Sequence, residues 1–340
     1  MRLGLASGYW SAGPPADALE AIQQADRLGF DSVWTAEAYG SDVFTPLAWW
    51  GSQTERIGLG TGIAQMSART PVATAMAAMT LDHLSGGRVR LGIGVSGPQV
   101  VEGWYGQPFP RPLARTREYV EILRATMRRE VVEYDGEFFQ LPYRGGTGMG
   151  KPLKSTLHPY REEIPVYLAA EGPKNVALSA ELCDGWLTFF FAPKDSDFYK
   201  AQLQAGFDAR GEDRWDTFDV ASPVPFVPNP DVEQAADAIR PHIALYVGGM
   251  GSREANFHRA VFERMGYEEE CARITDLYLD GKKEEAAAAV PTKMVEEIAL
   301  IGSPEKIKDD LARFEESIVT TILIQGPAAL VPMAAEIILG

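Results

Sequence analysis

Short apolar runs alternate along this chain with stretches whose apolar positions recur every three to four residues. The first kind falls at 2–6, 31–35, 56–62 and 90–95, and each is followed by the second, at 17–28, 45–54, 71–84 and 113–129. A brief apolar run fits a strand buried on both faces, and helical spacing fits a helix laid across the sheet. In 17–28 the stripe is Leu19, Ile22, Ala25 and Leu28, and Gly29 ends it. The third helix opens at Thr70-Pro71, with proline at the first helical position, where its missing N–H costs nothing.

The rhythm then breaks over about 131–163. Residues 132–139 read as a hairpin turning at Asp135-Gly136, and 145–150 holds four glycines among six residues. Strands resume at 164–169, 185–191, 218–227 and 317–324, with helices at Pro173–Leu182, 196–209 and 328–339. Residues 231–300 read as mostly helical and polar. Eight strands in a βα rhythm predict an α/β fold, a (β/α)8 TIM-like barrel, as one domain over 1–340 with insertions at about 131–163 and 240–300.

Composition adds the class. The 340 residues are 46% hydrophobic and 23% charged, as in an ordinary globular chain. A net charge of −15 argues against nucleic acid or an anionic membrane as partner, so an anionic ligand must be held by local donors. Cys183 and Cys271 give no disulfide framework, and His83, His158, His242 and His258 fall in no metal-binding pattern. No segment approaches 18 consecutive apolar residues, and residues 1–6 open straight into a strand, so a cytoplasmic enzyme is expected.

In a barrel, residues just past the strands' C-terminal ends face the active site. Four places qualify. Glu37 ends the second strand, as a candidate acid or base. Gly62, Ile63 and Gln65 follow the third. Gly92-Ile93-Gly94-Val95-Ser96-Gly97 satisfies the dinucleotide-binding pattern but sits at the fourth strand with Pro98 next, so it reads as a glycine-lined bed for a flat ring. After the fifth strand, Gly172-Pro173 opens a helix whose free N–H groups, beside Lys174, suit a phosphate.

These segments, with Leu28-Gly29-Phe30-Asp31-Ser32-Val33-Trp34, Arg56-Ile57-Gly58-Leu59-Gly60-Thr61-Gly62, Leu81-Asp82-His83-Leu84-Ser85-Gly86-Gly87-Arg88, Ala169-Ala170-Glu171-Gly172-Pro173-Lys174 and Ile301-Gly302-Ser303-Pro304-Glu305, resemble the bacterial-luciferase-like superfamily, especially its coenzyme F420-dependent oxidoreductase branch. The resemblance implies a deazaflavin at the strand C-termini, with FMN as the alternative. It implies a non-proline cis peptide at Gly62-Ile63, ring contacts from Ser96, Gly97 and Gln99, and a phosphate-binding turn of Ala170, Glu171, Gly172, Pro173, Lys174 and Asn175. It also implies a homodimer acting on a small molecule. The Asp-His pair of several relatives is here Glu37-Ala38, so the imidazole acid/base is missing and Glu37 is the candidate catalytic residue. The expected activity is hydride transfer between F420 and a small organic substrate. The alternatives are an FMN-dependent monooxygenase or a non-catalytic flavin or deazaflavin binder.

Overall fold

The computed structural model describes residues 1–250 and 256–340, so five residues of the stretch predicted as mainly helical, 251–255, lie outside the described residues. Eight parallel strands close into a barrel: β1 (Arg2–Gly8), β2 (Ser32–Thr35), β3 (Gly58–Thr61), β4 (Val89–Gly94), β5 (Val166–Ala169), β6 (Gly185–Leu187), β7 (Asp219–Pro228) and β8 (Thr321–Gln325). Each strand pairs with the next in sequence, and β8 returns to β1 through Arg2↔Thr321 to Leu5↔Ile324. The eight predicted strands are these eight. Helices such as Ala18–Leu28, Pro71–Ser85 and Pro173–Leu182 surround them.

The barrel interior explains the glycines. Trp34, Tyr167, Leu187, Ala221 and Leu323 fill it, with the Trp34 and Tyr167 rings edge to face at 5.1 Å. Trp34, Tyr167 and Leu323 are each matched by a glycine on a neighbouring strand. A Cβ on Gly60 would lie 2.2 Å from the Trp34 ring, one on Gly185 2.3 Å from the Tyr167 ring, and one on Gly4 2.6 Å from Leu323. A Cβ on Gly92 would lie 2.0 Å from the Thr61 carbonyl oxygen, and one on Gly94 2.4 Å from Ile63 Cδ1. Close packing of the protein against itself therefore accounts for Gly92 and Gly94, in place of the expected approach of a flat ring to bare backbone.

Polar groups line the N-terminal end of the barrel, around a cavity of about 510 Å³. Asp219 accepts hydrogen bonds from the hydroxyls of Tyr167 (2.8 Å), Thr320 (2.5 Å) and Thr321 (2.8 Å) and pairs with Arg2 at 2.7 Å. Arg90 grips Asp31 with both terminal nitrogens. In barrels of this kind the active site lies at the opposite, C-terminal end.

Four expectations need correction. The sixth strand stops at Leu187, not 191, because Phe190 and Phe191 turn out of the sheet: Phe190 packs on Phe262, and Phe191 on Trp186 and Tyr199. The hairpin is Tyr134–Asp135 against Gln140–Leu141, so its loop is the four residues 136–139 rather than a two-residue turn at Asp135-Gly136. Glu118 causes this by accepting the N–H groups of Glu137, Phe138 and Phe139. Pro98–Gly103 is a short helix, where only a loop was expected. A strand at Leu300–Gly302 sits at the edge of the stretch read as helical, and it pairs with Phe226–Pro228 of β7. Three residues carry too little periodicity to be seen in advance.

Among the described residues the long excursion after β7 is helical, with a core of its own that includes Ile243, Val247, Phe262, Ile274 and Met294 and reaches Phe190 and Ala192. No helix among them is long and apolar enough to cross a membrane.

The fit between Trp34 and Gly60 predicts that Gly60→Ala lowers unfolding free energy by about 1–3 kcal/mol, the usual cost of overpacking. Gly13→Ala, where a Cβ meets nothing within 4 Å, should stay within about 0.5 kcal/mol of wild type. Urea titrations of the two variants test the difference.

Candidate active site at the barrel mouth

The turns after β2 and β3 are laced together. Gly62 N–H donates to the Thr35 carbonyl at 2.7 Å and Glu37 N–H to the Ile63 carbonyl at 3.3 Å. Glu37 itself is buried, and its Oε1 accepts from the Gln65 N–H at 2.8 Å and from Arg69 Nη1 at 2.5 Å. Gln65 Nε2 returns a bond to the Glu37 carbonyl at 3.0 Å. The candidate acid is thus committed to an ion pair and a backbone clamp. The Tyr105 hydroxyl donates to the Ala38 carbonyl at 3.0 Å, and burial, then the Glu37 charge, push its pKa up.

The Gly62-Ile63 peptide bond is cis, as the resemblance implies. A Cβ on Gly94 would meet Ile63 Cδ1 at 2.4 Å and Ala169 Cβ at 3.5 Å, so the ends of β3, β4 and β5 meet in one arc. Ser96, just past β4, has φ 58°, a left-handed conformation that a non-glycine residue adopts only when its surroundings impose it. Gly97 follows at the start of helix Pro98–Gly103, with Gln99 exposed on its first turn.

After β5, the Ala170 carbonyl accepts from Trp186 Nε1 at 2.8 Å, which pins the turn. Gly172 is the extended residue before helix Pro173–Leu182, and a Cβ there would meet nothing within 4 Å. Asn175 Nδ2 donates to the Ala169 carbonyl at 3.4 Å, while its Oδ1 is buried without a partner. Lys174 is exposed and lines a groove of about 290 Å³ with Arg117 and Glu181, between helices on the outside of the barrel.

A second arc comes from residues the sequence reading set aside. His258 Nδ1 lies 2.7 Å from Glu171 Oε2. Its ring stands edge-on to Tyr246 at 4.7 Å and beside Phe189 at 5.2 Å, and His242 lies 4.8 Å from Tyr246. Tyr246 belongs to a π-helical turn, Leu245–Gly249, a geometry often found at functional sites. Burial first, then the fields of Tyr9, Tyr39 and Glu171, raise the Tyr246 pKa to about 12. Those three neighbours come from the ends of β1, β2 and β5, so the excursion leans over the mouth. The histidines were passed over because they show no metal spacing, and no sequence signal pairs His258 with a glutamate 87 positions earlier. Among the described residues no group of three or more His, Cys, Asp or Glu is placed to hold a metal ion.

Buried polar atoms without partners mark where this mouth expects something else. Gln65 Oε1, Ser67 Oγ, Glu171 Oε1 and Asn175 Oδ1 are all of this kind. A buried group left unpaired costs about 1–3 kcal/mol, so four of them along one rim suit a polar ligand. All but the Ser67 hydroxyl are acceptors, so they fit the N–H-bearing edge of a flat cofactor, while an anionic tail would have to be held by the free N–H groups at the start of helix Pro173–Leu182.

A closed (β/α)8 barrel with such a rim is the ground plan of a cofactor-dependent oxidoreductase. The chain belongs to the luciferase-like monooxygenase family, whose model it matches over residues 3–321. It is 49% identical to a Mycobacterium tuberculosis protein provisionally named a coenzyme F420-dependent oxidoreductase, over 97% of this chain and 96% of the relative. It is 30% identical to 5,10-methylenetetrahydromethanopterin reductase of Archaeoglobus fulgidus, over 90% and 88%. Its fold matches the coenzyme F420 dependent tetrahydromethanopterin reductase of Methanopyrus kandleri with a TM-score of 0.83 at 23% identity, covering 100% and 99% of the two chains.

Two outcomes are expected. Arg69→Ala, which leaves Glu37 buried without its cation, should cost about 3 kcal/mol, and Glu37→Gln in the same chain should restore part of it. Urea unfolding of the single and double variants measures this coupling. His242 is depressed below its ordinary 6.5 by burial first and by His258 second. The unfolded chain therefore binds the proton more tightly, so this stability is complete above about 6.5 and is lost as pH falls through the lower folded value. His242→Gln should flatten the fall in melting temperature below pH 6.5.

Proposed function

We propose that this protein is a coenzyme F420-dependent oxidoreductase that moves a hydride between the deazaflavin and a small organic substrate. The observation that carries the reading is the rim of unpartnered buried atoms on the turns after β3 and β5, in a chain 49% identical to a relative named for that cofactor. F420 supplies two-electron hydride chemistry when bound; the protein supplies seat, orientation and exclusion of water.

In this reading Gly62, Ile63, Gln65, Ser96, Gly97 and Gln99 bed the ring. The phosphate seat is Ala170, Glu171, Gly172, Pro173 and Asn175, with Lys174 adding long-range charge from outside. The N–H groups of the first helical turn after Gly172 lack intrahelical acceptors and face an anion with the positive end of the helix dipole. Glu37, held by Arg69 and Gln65, keeps the β2 and β3 turns in register; a proton-transfer role for it would require that clamp to open. The chain acts as a single luciferase-like domain, with 131–163 and 240–300 as insertions, and as a cytoplasmic homodimer. Exposed Trp49, Met76 and Leu84 on the adjacent helices Phe44–Gly51 and Pro71–Ser85 offer an apolar face for the second copy.

Fluorescence titration of the purified protein with F420 and with FMN tests the cofactor. Saturation by one F420 per chain, weakened about tenfold by Asn175→Ala, is expected. Tight FMN binding without F420 binding would instead select an FMN-dependent monooxygenase, and F420 binding with no oxidation by any acceptor would select a non-catalytic carrier.

A further inference from the structure

Hydride addition to a polar double bond leaves negative charge on the neighbouring atom, and a general acid placed there accelerates the step by about 10²–10⁴. Position 38, an alanine, offers no such group, and the carboxylate of Glu37 is clamped by Arg69 and the Gln65 N–H. The excursion after β7 supplies another. His258 is the second residue of helix Phe257–Arg264, whose start is fixed by Asn256: its side chain accepts from the Arg259 N–H at 3.0 Å and donates to the Tyr246 and Val247 carbonyls at 2.8 and 2.9 Å. The imidazole is thereby tied to the π-helical turn and brought within 2.7 Å of Glu171 Oε2.

A carboxylate against one ring nitrogen is the arrangement that orients a catalytic imidazole. Nδ1 has no aligned hydrogen-bond partner in this structure; a turn of the ring toward Glu171 would fix a proton on Nδ1 and compensate the positive charge of a ring protonated at both nitrogens. Nε2 is then the nitrogen that gives its proton away. Glu171 stands two residues past Ala169, which like Ile63 packs on the interior cluster beneath the mouth, so the pair is next to the site rather than remote from it. The groups around His258 are Glu171 after β5, His242 and Tyr246 on the excursion, and the apolar rings of Phe189 and Phe190 after β6. Aromatic walls with one proton donor suit an apolar carbonyl compound and its alcohol.

Resting on the F420 reading above, we propose that His258, positioned by Glu171, is the proton donor to the oxygen of an apolar ketone or aldehyde substrate. The carbonyl carbon gains a hydride from the reduced deazaflavin, and the C=O π pair moves to oxygen. That oxygen takes the Nε2 proton as the N–H bond breaks, giving the alcohol. The deazaflavin, two electrons poorer, releases its second hydrogen to solvent as a proton, and the imidazole regains one from water. In the reverse direction His258 accepts the alcohol proton.

Two arms test this. The first titrates wild type and His258→Gln with F420; equal affinity within about twofold places His258 outside the cofactor seat, and a loss of tenfold or more overturns its assignment as substrate acid. Absence of F420 binding by wild type is a separate result and removes the cofactor reading itself, and this proposal with it. The second arm mixes the reduced holoenzyme with cyclohexanone, acetophenone and benzaldehyde, and follows single-turnover reoxidation together with the His258 ¹⁵N resonances. The expected result is reduction of at least one probe, slowed about 10²–10⁴-fold in His258→Gln, with the alkaline limb of the pH–rate profile lost and His258→Ala partly rescued by added imidazole. Glu171→Gln should lower the rate less and shift that limb. Unchanged rates or an unchanged pH profile in His258→Gln overturn the proposal, as does a probe set of which none is reduced and none moves the Nε2 resonance.

Discussion

Trp34 occupies the barrel axis, and its indole N–H donates to Ser32 Oγ at 2.9 Å on the same strand, so the ring cannot swing aside. Gly60 opposite it then has no room for a Cβ, and Tyr167, packed edge-on against Trp34, imposes the same demand on Gly185. One bulky ring, fixed by one hydrogen bond, dictates small residues on the strands around it. It also lifts the floor of the mouth to the level of Ala6, Ile63 and Ala169, the residues that cap this interior cluster. The height at which a ligand rests is set by packing beneath it.

Much of this was legible in the chain. Eight strands and their partner helices followed from periodicity, because a strand buried on both faces and an amphipathic helix leave opposite patterns in sequence. The turns after β3, β4 and β5 were found from their place at strand ends. The meaning of the glycines was not legible. Gly92 and Gly94 satisfy a ligand-binding pattern, yet the space they leave is taken by Thr61 and Ile63, and only coordinates distinguish a gap for a ligand from a gap filled by the protein.

The histidine arc was illegible for another reason. His242 and His258 lie in an insertion whose helices pack mainly on one another, so no repeat of the barrel predicts where they point. Glu171 was read only as part of an anion seat, and its contact with His258 spans the whole second half of the barrel. Glu37 lies on the turn after β2, and a single residue name does not reveal its ion pair with Arg69, 32 positions later.

The forked end of β7 has a consequence for how such a chain can change. Residues 221–225 complete the hydrogen-bonded ring with β8, while 226–228 carry Leu300–Gly302 as a side branch. The excursion leaves and rejoins the barrel at that branch, with a core built largely from its own helices. Its length and residues are therefore free to drift while the ring stays closed. The barrel ring and the excursion over its mouth are thus largely separate packing units, joined by three residues of strand and by side-chain contacts such as Phe190 on Phe262 and Glu171 with His258.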